Sequence, residues 1–330
     1  MMGMTEKRQS YWTELSQAVG CSWNRFWFTP SHPLLLCMLR IAVGLLALNY
    51  HLSFSKDLIR LFAADGLLSP KTMGTLRGDL GGYDWIHFSL LDLGNTPTQL
   101  WALHVVGGLI LVLFTLGVLT RITSILSLLV LLSYVHSQSF LTGPFEPLLC
   151  MLLLYLCLAP CGAYLSVDRW RVSRRQKMEV EQSGTSSCWT ATVSLRLIQL
   201  HCAGFYFLMG LSKLGGDVWW EGQAVWTLMA QTRSRPLDLT FLREQAFLLD
   251  AWTHAIVLFE LVFPLLIWKR LARPILLVIA LLMWISLAAL TGLLGFCLVM
   301  LVASAAFLPP TACQQLVGCF PRFLRPVRLA

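Results

Sequence analysis

Residues 274–309 run for 36 positions without a single Asp, Glu, Lys or Arg. One helix through all of them would be about 54 Å long at 1.5 Å per residue, whereas the hydrocarbon core of a bilayer is ~30 Å thick. Thr291-Gly292 lies near the middle of the run and offers a turn. The run therefore reads as two spans, 274–290 and 293–309, joined by a tight hairpin.

Six further stretches have comparable length and character: 33–51, 99–119, 122–137, 145–165, 193–214 and 251–268. Each approaches the ~20 apolar residues that a transmembrane helix requires. Composition agrees, with 56% hydrophobic and 13% charged residues and a mean hydropathy of +0.67. A soluble globular protein carries about 25% charged residues, so much of this chain's surface must face lipid. The expected fold is an all-α integral membrane protein: a bundle of about eight transmembrane helices with no large soluble domain. Its divisions are a polar N-terminal segment (1–22), a transmembrane domain (23–310) and a basic C-terminal tail (311–330).

The basic residues set an orientation. With eight spans and both termini on one side, that side holds 15 of the 25 Lys and Arg, the other holds 8, and Arg40 and Arg196 fall within spans. Cytoplasmic segments are the ones enriched in Lys and Arg, so both termini are expected in the cytoplasm. The formal net charge of +8 lies between apolar runs, where it contacts anionic lipid; no basic-aromatic patch suited to nucleic acid occurs. Ten cysteines include no C-x-x-C pair and several sit inside spans, where cysteine acts as a small hydrophobe. H-E-x-x-H, G-x-S-x-G and a phosphate-cradling glycine loop are all missing, and no metal site is expected.

Polar residues at membrane depth are the functional candidates, because a charge at a helix centre costs about 2.5–3.5 kcal/mol on insertion scales. In the span 193–214, at about 100° per residue, Arg196, Gln199, Ala203, Tyr206, Gly210 and Lys213 share a stripe roughly 100° wide. That stripe must face protein or a watered cavity. Lys213 has two readings: it could snorkel to the outer headgroups from its place near the helix end, or it could be a buried general base. Glu260 lies mid-span, and Pro264 one turn later cannot donate to the Glu260 carbonyl. His136 and Glu146 bracket a short outer loop, and Arg40 is expected to pair with one of the acids. The GGDVWWEG segment brings Trp219 and Trp220 to headgroup depth, and 178–190 reads as a flexible linker.

Several segments, in order along the chain, resemble HTTM (horizontally transferred transmembrane) domains, which are related to the membrane domain of vitamin K-dependent γ-carboxylase. They are FWFTP (26–30), LRIAVGLLAL (39–48), LFAADGLLSP (61–70), AYLSVDRW (163–170), LRLIQLHCAGFYFLMGLSKLGGDVWWEGQAVW (195–226), FELVFPLL (259–266) and FLPP (307–310). The resemblance implies that Lys213 in GLSKLGG matches the catalytic lysine, and that His136 in VHSQSF corresponds to a histidine of the carboxylase. Trp284 stands where the carboxylase has a later histidine. The chain stops at residue 330 without the large non-membrane domain that handles protein substrate. The expectation is accordingly a pocket for a reduced quinone or other lipid-like ligand rather than carboxylation of protein glutamates. Arg196, Gln199, Tyr206, Trp219, Glu260, Glu146 and Arg40 are its candidate lining, and its expected partners are the lipid bilayer and a lipophilic small molecule. The alternative is a non-catalytic membrane carrier or partner subunit that keeps the fold.

Reporters fused to the two termini should both register a cytoplasmic location. Termini on opposite sides would require an odd number of spans and would overturn the eight-span topology.

Overall fold

The computed structural model describes residues 2–79, 89–94, 96–138, 142–175, 187–230, 237 and 240–318. Most of the linker expected at 178–190, and residues 319–330 of the expected tail, lie outside them. Among the described residues the structure is helical, apart from a single β-bridge between Ser31 and Cys188. The chain begins with α1 (Met2–Phe28) and α2 (Leu34–Ser53), then two short helices, α3 (Leu58–Phe62) and α4 (Pro70–Asp79). An antiparallel trio follows: α5 (Pro97–Leu116), α6 (Thr120–Ser137) and α7 (Phe145–Leu158). After α8 (Val167–Arg175) come the long α9 (Trp189–Leu214) and the short α10 (Asp217–Trp220) and α11 (Ala224–Ala230). The chain closes with α12 (Ala246–Leu266), α13 (Ala272–Thr291), α14 (Leu294–Ser304) and α15 (Pro310–Gly318).

Helices α2, α5, α6, α9, α12 and α13 are long and apolar enough to cross a membrane, and the chain is a multi-pass integral membrane protein. All eight expected spans appear as helices, but two stop early. The span expected at 145–165 ends at Leu158, because Pro160 forces Ala159 out of the helical region, to ψ 148. The span expected at 293–309 ends at Ser304 with a 3-10 turn to Phe307, and Leu308, before Pro309, is extended at ψ 138.

Other boundaries follow from capping chemistry. Thr96 and Gln99 form a reciprocal capping box at the start of α5, with Pro97 in the first turn. Gly117 ends α5 at φ 77 and Gly292 ends α13 at φ 69, both in the left-handed region that glycine adopts at little cost. Gly292 thus makes the α13–α14 hairpin expected at Thr291-Gly292.

Helix α2 packs on α5, α7 and α14, while α9 packs on α12, α7, α14 and α1. The outward faces carry Leu109, Leu208, Leu258 and Leu282, each more than half exposed. Such faces would aggregate in water but are suited to acyl chains.

The structure corrects the pairing expected for Arg40. Its side chain is completely buried, yet its partners are backbone carbonyls: Nη1 donates to Cys161 O at 2.9 Å and Nη2 to Leu165 O at 2.5 Å. These carbonyls lie just beyond α7, where the helix has ended and leaves acceptors unsatisfied. Asp168, in the Ser-Val-Asp segment, accepts from Leu119 N (3.0 Å) and Thr120 N (3.1 Å) and so holds the start of α6. Arg40 and this segment therefore knit helix ends together.

A Cβ on Gly117 would meet Arg40 Nη1 at 2.5 Å, in addition to the left-handed strain. Gly117→Ala should destabilise the protein by at least about 2 kcal/mol in thermal unfolding in mild detergent. Gly204→Ala, in a helix interior with nothing within 4 Å, should be neutral or stabilising by roughly 0.5–1 kcal/mol. Equal effects of the two would refute the packing argument.

Candidate functional site

Helices α9 and α12 run antiparallel, with Gly210 opposite Glu260 and Tyr206 opposite Phe263. Gly210 allows the close approach: a Cβ there would lie 2.8 Å from Leu261 Cδ2 and 3.3 Å from Glu260 Cβ. One turn further along α9, Lys213 Nζ donates to both carboxylate oxygens of Glu260, at 2.8 and 2.6 Å. The Lys213 side chain is 14% exposed and that of Glu260 is 0% exposed. The ring of Trp219, on α10, approaches Nζ at 5.0 Å from its centroid, within cation–π range.

The last turn of α9 meets α12 deep within that helix. From Ala246 to Glu260 is about 21 Å of helix at 1.5 Å per residue. The Lys213 ammonium is paired with the buried carboxylate of Glu260, well along α12. An uncompensated carboxylate in so apolar a place would cost many kcal/mol; the pair is neutral as a whole.

Further along the α9 stripe, Tyr206 and Gln199 find partners on other elements. Trp284 Nε1 donates to Tyr206 Oη at 2.6 Å, Tyr206 lies 3.0 Å from Ser304 Oγ, and Ser304 Oγ donates to Met300 O at 2.8 Å. Because the Ser304 proton goes to Met300, Tyr206 is the donor to Ser304. Every donor in this chain has an acceptor, and Trp284, Tyr206 and Ser304 are all fully buried. Trp284 occupies the position that the resemblance gives to a histidine, and it serves there as an N–H donor. Gln199 Nε2 donates to Ala306 O at 2.8 Å, while its Oε1 accepts from Arg196 Nη1 at 3.0 Å. Arg196 also stacks over Phe26 at 4.5 Å.

The site residues named from sequence therefore fall into separate places. Lys213, Glu260 and Trp219 come together; Tyr206 lies next along α9; Arg196 and Gln199 lie toward its start; Arg40 lies elsewhere. Glu146 Oε2 accepts from Gly143 N at 2.9 Å and closes the loop before α7. His136 lies in the last turn of α6, and residues 139–141 of the loop that follows it are outside the described residues. His201, on the opposite face of α9 from the stripe, bonds Tyr155 Oη at 2.7 Å.

A second polar cluster went unread in the sequence. The rings of His51 (α2) and His104 (α5) stack at 4.1 Å, His51 Nε2 lies 2.9 Å from His104 O, and His104 Nδ1 lies 2.7 Å from Tyr134 Oη. Gly107 and Gly108 make room for the His51 ring, with Cβ approaches of 3.1 and 3.4 Å. The legible signal was His104 inside a span, followed by a glycine pair.

A family model described as HTTM domain matches residues 82–311. No curated protein and no solved structure matches the chain.

If Lys213 and Glu260 act as a pair, Lys213→Met or Glu260→Leu alone should each cost about 3–5 kcal/mol of stability, by stranding a buried charge. The double variant should lose far less than the sum, as read from unfolding in mild detergent. Additive losses would show that the two groups are not coupled.

Proposed function

This chain belongs to the HTTM domain family, and on that premise we propose that it binds an amphipathic, quinone- or lipid-like ligand within the bilayer, with Lys213 as polar contact and proton acceptor. The observation that carries the reading is the buried Lys213–Glu260 pair with Trp219 against the ammonium. Ionisable residues at membrane depth are costly, and they mark ligand sites and proton relays more often than structure alone demands.

The chemistry of the pair suits the role. An ammonium accepts no proton, but its carboxylate partner is 2.6 Å away. Transfer of one proton from Lys213 to Glu260 converts the ion pair into a neutral amine and a neutral acid. The free Lys213 amine could then take a proton from a ligand hydroxyl, and its ammonium would be left beside the resulting anion. A reduced quinone supplies such an acidic hydroxyl together with reducing electrons.

An apolar groove lies beside Phe259, although Lys213, Glu260 and Trp219 are not in its lining. Between α12 and α13 lies a groove of about 320 Å³ walled by Trp252, Ile256, Phe259, Leu282 and Met283, with Ser286 as a polar wall residue. Phe259 adjoins Glu260 in the chain. Its ring also packs edge-on to Tyr206, with centroids 5.8 Å apart.

Mass spectrometry of small molecules that co-purify in mild detergent tests the reading. Wild type should retain a quinone or related lipid that Lys213→Ala loses at least tenfold, with Lys213→Arg retaining part of it. Identical lipid profiles in folded wild type and Lys213→Ala would overturn the proposal, and would leave a non-catalytic carrier or partner subunit as the better description.

A further inference from the structure

At the end of the bundle where α9 and α13 begin, a cavity of about 370 Å³ opens between α1, the start of α2, α9, α13 and α15. Arginines from three separate elements line it: Arg25 of α1, Arg196 of α9 and Arg273 of α13. Among the described residues no carboxylate lines the cavity, and none of the three arginines is ion-paired with one. Arg196 and Arg273 are close enough for their like charges to oppose each other. Apart from the Arg196 bond to Gln199, Arg273 Nε donates to Ile267 O at 3.3 Å. Each guanidinium has five N–H donors, so most of this capacity is unused by the protein.

His32 also lines the cavity. Its Nδ1 accepts from Leu34 N at 3.2 Å, which places the ring proton on Nε2. That Nε2 is buried and has no hydrogen-bond partner. Burial lowers the His32 pKa and favours the neutral ring, whose Nε2–H is closed off from the cavity space. Leaving a buried donor unmet is unfavourable by roughly 1–3 kcal/mol. Three guanidiniums thus border one space. Leu34, Leu35, Leu195 and Phe307 give the wall an apolar part, beside the polar side chains of Thr29, Ser31, Thr192 and Gln314.

We propose that this cavity binds the phosphate headgroup of an anionic phospholipid, with Arg25, Arg196 and Arg273 holding the phosphate and the leucine wall receiving the adjoining apolar part of the lipid. Guanidinium forks match phosphate oxygens in both geometry and charge. Three fixed positive charges favour a phosphate monoester over a diester, and either over a zwitterionic lipid. The site lies toward the opposite end of α9 from Lys213 and does not depend on the reading of that residue.

The test uses the full chain, delipidated in mild detergent, with thermal unfolding and native mass spectrometry as readouts. Phosphatidic acid should bind and raise the Tm most, phosphatidylglycerol less, and phosphatidylcholine should have no effect. Arg273→Gln and Arg196→Gln should each weaken phosphatidic acid binding about tenfold, the loss of one charge-assisted contact. Arg121→Gln, an exposed cation at the start of α6, should leave binding unchanged. If Arg196→Gln fails to fold because Gln199 loses its partner, Arg273→Gln decides. Inorganic phosphate or glycerol 3-phosphate matching the lipid, with the same loss in the variants, would keep the phosphate site but assign it to a soluble ligand. Equal binding of phosphatidylcholine, or undiminished phosphatidic acid binding in folded variants, would overturn it.

Discussion

Within hydrocarbon there is no water to complete an unmet hydrogen bond, so each polar group at that depth must find its partner inside the protein. The internal arrangement of this bundle follows from that constraint. Arg40 satisfies carbonyls left open where α7 ends. Tyr206, Trp284 and Ser304 form a directed chain that terminates on the Met300 carbonyl. Lys213 and Glu260 neutralise each other across two helices. Each arrangement ties together elements distant in sequence, and each would be expensive to break because the stranded partner has no water to turn to.

Helix α9 carries most of this. It presents one polar and small stripe, and three different solutions meet it along its length. Near its start, Arg196 faces a cavity where positive charge is uncompensated by protein. In the middle, Tyr206 is fully satisfied and holds α13 and α14 against α9. At its end, Lys213 meets a carboxylate from α12. A satisfied hydroxyl chain gives rigidity. An ion pair across two helices leaves neither charge stranded, and the basic cavity gathers three arginines from separate elements.

The stripe itself was legible, since the helical period and the cost of burying Arg196, Gln199 and Lys213 against lipid require a protein-facing side. The identity of each partner was not. Arg40 was expected to meet an acid and instead meets carbonyls, because the end of α7 leaves acceptors that no side-chain pattern reveals. Lys213 lies near a helix end, which suggests headgroups, and its partner Glu260 sits 47 positions away on another helix, where no local pattern points to it. His51 and His104 went unnoticed as a pair: they are 53 positions apart, in separate spans, and only the packing of α2 on α5, with Gly107 and Gly108 making room, stacks them.

Sequence alone determined the solvent of this protein, the approximate places where the chain turns, and the residues that had to be buried in protein. All three follow from local quantities: apolar length against bilayer thickness, the backbone limits of glycine and proline, and the period of a helix. Tertiary structure decided which buried groups meet. Pairing depends on helix crossing, on the relative level of helix ends and on close approaches such as that at Gly210. Those are set by the summed packing of many side chains rather than by any local pattern, which is why Glu260 became the partner of Lys213 and three arginines from separate elements came to share one cavity.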